Sequence, residues 1–149
     1  MIGLLREGWK RLSITLIMVS SPVLASHSYQ VGVECENSQE IITSTFDLSQ
    51  RAQEFADLSR WQNGFNQLYS FAIELMRAAD DFIVKVENGR DCEQLKDDFH
   101  FVVWQWLSFE RQWQRAASVR PGNRLQDDYN ELEYSFRYVR YQVFSDSLE

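Results

Sequence analysis

A histidine and a methionine can together ligate a haem iron, and His100 and Met76 are the pair in this chain that invites the comparison. Counted from the turn expected near residue 90, they lie about fourteen residues back and about ten forward. On antiparallel helices rising about 1.5 Å per residue, their heights differ by roughly 6 Å. Both stand one position off the apolar seam of their helices, and no C-x-x-C-H is present for covalent attachment. A haem- or metal-binding electron carrier using His100 and Met76 is therefore the alternative reading rather than the first.

The other reactive residue types point less far. Asp97-x-x-His100 is half of a carboxylate-bridged metal motif, and the second histidine such a site requires is missing from the helical region. His27 would stand second if the chain were cut after Ala25, which gives only part of an amine-terminal copper site. Asp80-Asp81, Asp97-Asp98 and Asp127-Asp128 are adjacent on helices, where neighbours diverge by about 100° and do not share a site. There is no G-x-S-x-G, no H-E-x-x-H and no glycine-rich phosphate loop. No catalytic residue and no resident cofactor are expected, so the chain reads as non-enzymatic.

Cys35 and Cys92 are the two cysteines, too far apart for a C-x-x-C redox or zinc pattern. Their pairing depends on compartment, and the amino end addresses that. Arg6, Lys10 and Arg11 precede a mostly apolar run, Leu12 to Leu24, broken by Pro22 and followed by Ala25. That order of basic, apolar and small residues is a secretory signal, with Val23 and Ala25 at the −3 and −1 places of cleavage. The run is shorter than the roughly 20 residues of a membrane span. Residues 1–25 are thus expected to be a cleaved signal, the product periplasmic or secreted, without stable membrane insertion, and Cys35–Cys92 a disulfide.

Cleavage would take Lys plus Arg from 15 to 12 and Asp plus Glu from 22 to 21, moving the net charge from −7 to −9. An acidic domain offers nucleic acid no phosphate-neutralising surface, so no nucleic-acid partner is expected.

The elements that must position these residues are helical. Residues 26–45, rich in Ser, Thr and β-branched types, read as an extended leader, and residues 46–149 as the bundle domain. Leu48, Ala52, Phe55 and Leu58 form one amphipathic face after a cap at Ser44 or Asp47. Trp61, Phe65, Leu68, Ala72, Leu75, Ala79, Phe82 and Val86 form a second seam, stopped by Asn88-Gly89. Asp91 caps a third, carrying Cys92, Leu95, Phe99, Val102, Trp106, Phe109, Trp113 and Ala116 up to Arg120-Pro121-Gly122. Asn123 opens a fourth with Leu125, Tyr129, Leu132, Phe136, Val139 and Val143. The expected fold is all-α, an antiparallel up-and-down four-helix bundle with a break near Ser59–Gly64. The alternative is a three-helix bundle with one long kinked first helix.

Aromatic residues exceed what these seams use. Tyr134, Tyr138 and Tyr141 each lie two positions past a seam residue, about 200° round the fourth helix, with Arg137 and Arg140 beside them. Phe101 and Trp104 hold the same relation to the third helix. Tyr, Trp and Arg are the types that dominate interface energetics. These seven residues are the expected interaction surface, for a protein partner or a homo-oligomer.

Overall fold

The computed structural model of the chain describes residues 35–118 and 120–145. The expected signal, residues 1–25, and the first part of the expected leader lie outside them. Four helices follow in order: α1 (Ser38–Ser59), α2 (Leu68–Glu87), α3 (Cys92–Ala116) and α4 (Asn123–Phe144). Each packs on its sequence neighbours, and α4 closes the square against α1. This is the up-and-down four-helix arrangement, and the long kinked first helix does not occur.

Residues 38–45, expected to be extended, form the first two turns of α1, with Asn37 rather than Ser44 or Asp47 at the N-cap. The physical reason lies in what the core accepts there. Ile41, Ser44, Thr45, Leu48, Ser49, Ala52, Phe55, Ala56 and Ser59 are all buried, and their spacing is helical. Four of these nine carry hydroxyls, which hide the pattern from an apolar count. Buried hydroxyls need partners. Thr45 Oγ1 donates to the Ile41 carbonyl at 2.6 Å, Ser44 Oγ to the same carbonyl at 3.1 Å, and Ser59 Oγ to that of Ala56 at 3.0 Å. Ser49 Oγ donates across to Asp80 Oδ1 of α2 at 2.5 Å.

The break between α1 and α2 falls where it was expected, but it is longer. A run of turns crosses residues 60–67, with Gln62 N–H on the Ser59 carbonyl and Phe65 N–H on that of Gln62. Gly64 takes φ +85°, the left-handed region that favours glycine. Trp61 consequently leaves the seam and stands 81% exposed, whereas Phe65 is buried against Trp113, ring centroids 5.9 Å apart. At the other end of α2, Gly89 takes φ +69°, the left-handed stop anticipated from Asn88-Gly89. Asp91 then caps α3, its Oδ1 accepting from Gln94 N–H at 2.8 Å. Asn123 opens α4 as expected, with Gly122 at the N-cap.

Small residues let α1 and α2 approach closely: Ser49, Ala52, Ala56 and Ser59 of α1 and Ala72, Ala78 and Ala79 of α2 are all buried inside the bundle. Helices α3 and α4 stand further apart, and flat rings fill the space. Trp106 stacks on Phe136 at 4.5 Å and Trp113 on Tyr129 at 4.3 Å, both within 9° of parallel. Phe55 of α1 reaches across the diagonal to Phe109 and Trp113 of α3. The core is thus aromatic on one side and small on the other.

Tyr129 shows what this core does to a titratable group. Burial, and then the nearby carboxylates of Glu133 and Glu110, push its phenol up to about 12, against an opposing pull from Arg137. The folded state therefore favours the neutral phenol. The stability this contributes is complete below the ordinary value of 10.0 and is lost as pH rises through about 12. A near-ultraviolet titration should show one tyrosine ionising that late, together with loss of helical signal, and Tyr129→Phe should remove the late component.

The Cys35–Cys92 disulfide forms, with Cα atoms 4.9 Å apart across a sequence separation of 57. It joins the approach to α1 directly to the first residue of α3, rather than tying down an extended strand. Beside it, Asn37 Nδ2 donates to the Gln142 carbonyl at 2.8 Å and so satisfies one of the end carbonyls of α4. Three helices are therefore fastened together at one end of the bundle. Such a bond is characteristic of proteins that mature in an oxidising, extracytoplasmic compartment. No described helix is long and apolar enough to cross a membrane.

Candidate interaction surface

The seam geometry decides which side chains are left over. On α4 the buried set Leu125, Tyr129, Leu132, Phe136, Val139 and Val143 turns inward, and Tyr134, Tyr138 and Tyr141 necessarily turn out. Tyr134 is 72% exposed and Tyr141 63%, and the rings of Tyr134 and Tyr138 stack at 6.5 Å, 9° from parallel. On α3, Phe101 and Trp104 are exposed and stacked at 6.2 Å, with exposed Leu107 one turn further on.

The structure divides this surface in two. Phe101 lies one turn after Asp98, whose carboxylate takes Lys85 of α2 at 2.9 Å and Arg90 at 3.3 Å. The Phe101–Trp104 patch therefore borders the α2 side of α3. Tyr134 and Tyr138 instead border α1, where they line a groove of about 480 Å³ with Gln39, Glu40, Thr43, Ser44 and Asp47. The two aromatic patches do not merge. Helix α1 does not cover the outer face of α3, because those helices stand diagonally across the core.

The α1 wall of that groove was not visible in the sequence, since Gln39 to Thr45 had been read as an extended leader. It carries the carboxylates of Glu40 and Asp47. Ser135 Oγ of α4 donates to Asp47 Oδ2 at 2.6 Å, and Arg51 pairs with Glu131 across the same seam. Further along, Glu54, Asp57, Arg124 and Asp128 edge a second recess beside Trp61. Burial raises the carboxyl of Asp128 above the ordinary range. Arg124 opposes this, while Glu131, Glu54 and Asp127 add to it.

On the opposite flank of the tyrosine row, Arg137 and Arg140 line a recess with Tyr141, Phe144 and Ser145. Phe144 touches Phe99 and His100, so this flank faces α3. Arg137 bonds Glu133 on its own helix at 2.5 Å.

His100 and Met76 are not brought together. His100 is exposed, its ring 6.2 Å from Phe144 on the α4 side of α3. Met76 is half-buried on α2, one turn before Asp80 and so on the α1 side. Among the described residues no three His, Cys, Asp or Glu side chains are grouped to hold a metal ion. His27 lies outside the described residues. The adjacent carboxylates diverge as helix geometry requires: Asp80 bonds Ser49 while Asp81 is exposed, and Asp98 binds two cations while Asp97 is exposed.

Comparison of the chain with protein-family models, with curated proteins and with solved structures finds no match to any of them.

Proposed function

We propose that this chain is an exported, periplasmic or secreted, non-enzymatic binding module that engages a protein partner through the exposed aromatic faces of α3 and α4. The observation that carries the reading is the row Tyr134, Tyr138 and Tyr141, three large rings turned outward on one helix beside a formed groove. A helix with a satisfied inner seam has no folding reason to carry a second aromatic stripe in water. Tyrosine is the residue type that gives much contact area for little loss of side-chain freedom. Export accords with the basic–apolar–small order of residues 1–25 and with the disulfide.

The test is a pair of polar replacements, Tyr138→Ser and Trp104→Ser, in one chain. Both side chains are substantially exposed, so thermal unfolding should move little, by well under about 1 kcal/mol. Association, read as solution mass or as capture from the extracytoplasmic fraction of the producing cell, should be lost. Retention of every associated species by the double variant would contradict the reading.

A further inference from the structure

The tyrosine row of α4 separates flanks of opposite charge, and this bears on what can cover it. Glu40 and Asp47 line the α1 side, while Arg137 and Arg140 line the α3 side. Among the described residues neither Glu40 nor Arg140 has an ion-pair partner, whereas Asp47 and Arg137 are each engaged within the chain. An acidic protein thus carries one uncompensated carboxylate and one uncompensated guanidinium on either side of an exposed aromatic row.

Their heights along the bundle are matched. Helices α1 and α4 run antiparallel, with Asp47 level with Ser135 and Arg51 level with Glu131. Each step toward the start of α1 is a step toward the end of α4, so Glu40 stands level with Gln142, two residues or about 3 Å from the height of Arg140. Asp47 stands equally near the height of Arg137.

From this register we infer that the occupant of the α4 face is a second copy of the same chain, with the two α4 helices side by side and parallel. The inference rests on the binding role of α4 proposed above. Closed pairs of identical chains use one patch twice, related by a two-fold axis. An axis parallel to α4 keeps heights and exchanges flanks, so it sets Arg140 of each copy opposite Glu40 of the other, with Arg137 opposite Asp47. An axis lying across α4 in the contact plane keeps flanks and reverses heights, and so sets carboxylates against carboxylates. Like charges facing one another across an interface select against an arrangement. The tyrosine row would form the centre of the contact and the charged pairs its rim, the usual division of an interface.

The experiment is sedimentation equilibrium of the intact, oxidised protein. A reversible dimer is expected. Arg140→Glu and Glu40→Arg should each raise its dissociation constant at least about tenfold, and the double exchange should restore it to near the starting value. Two results overturn the parallel pair: a chain that is monomeric at every concentration, or a Glu40→Arg variant that associates more tightly, which is the mark of the crossed axis. The monomeric result leaves the broader binding role standing if the Tyr138→Ser, Trp104→Ser variant still loses a captured partner. If that variant loses nothing, both fail.

Discussion

Removing the Cys35–Cys92 bond, by reductant or by Cys35→Ser with Cys92→Ser, is expected to lower the unfolding free energy by about 3–4 kcal/mol. The bond closes a loop spanning a separation of 57 residues. In the chain-entropy treatment a loop of this size limits the unfolded ensemble by roughly 4 kcal/mol, and native disulfides of small exported domains commonly contribute 2–5. The loss should not be uniform. The first turns of α1 are rich in Ser, Thr and Ile, types with weak helix propensity, and they are held by the disulfide and by Asn37 on Gln142. Amide exchange of residues 38–45 should accelerate more than that of α3. A denaturation midpoint indifferent to reductant, or exchange that quickens equally everywhere, would contradict this picture of the clamped end.

The second large effect belongs to Phe99. Its side chain is fully buried, and its ring meets Phe82 at 5.1 Å, Phe144 at 6.1 Å and Phe136 at 6.2 Å. Replacement by alanine removes the ring and leaves a cavity that the spaced-apart α3 and α4 cannot readily close. The expected loss is about 3–5 kcal/mol in chemical denaturation. The same change two residues on, Phe101→Ala, should cost less than about 0.5 kcal/mol because that ring is half in water. The pair is a sharp internal comparison: one residue type, one helix, opposite faces. Similar losses at both positions would mean that Phe101 is covered within the monomer, and the aromatic face would lose its meaning as a binding surface.

Where large apolar side chains mark the inward face, the sequence reads correctly. Every seam position of α4 is buried, as are those of α3 from Leu95 to Ala116. The same periodicity placed Tyr134, Tyr138 and Tyr141 outside. Two kinds of residue misled. Ser44, Thr45, Ser49 and Ser59 are inward positions occupied by hydroxyls, tolerable only because each donates to a carbonyl or carboxylate close by. An apolar count passes over them, which is why α1 was begun too late and the groove wall from Gln39 to Asp47 was missed. Trp61 erred the other way. It falls four residues before Phe65, at seam spacing, but the turns through Gly64 remove it from the helix. Spacing alone does not register that the backbone leaves the helical region in between.

The candidate surface was legible as a set of residues but not as a shape. Helical angle separates outward from inward on one helix. It does not say which neighbouring helix stands on which flank. That required the cross-helix ties Asp98 to Lys85, Asp47 to Ser135 and Phe144 to Phe99, which set Phe101 and Trp104 beside α2, Tyr134 and Tyr138 beside α1, and Arg137 and Arg140 on the α3 flank.

Oxidative footprinting of the intact protein across a wide concentration range tests the binding role of α4 most directly. Trp61, the most exposed large hydrophobic side chain among the described residues and far along the bundle from Tyr138 and Tyr141, is the internal reference. If α4 pairs as inferred, Tyr134, Tyr138 and Tyr141 become protected as concentration rises while Trp61 reacts unchanged. If the three tyrosines stay as reactive as Trp61 at the highest concentration, and remain so when extracytoplasmic extract is added, the outward row of α4 is not a binding surface.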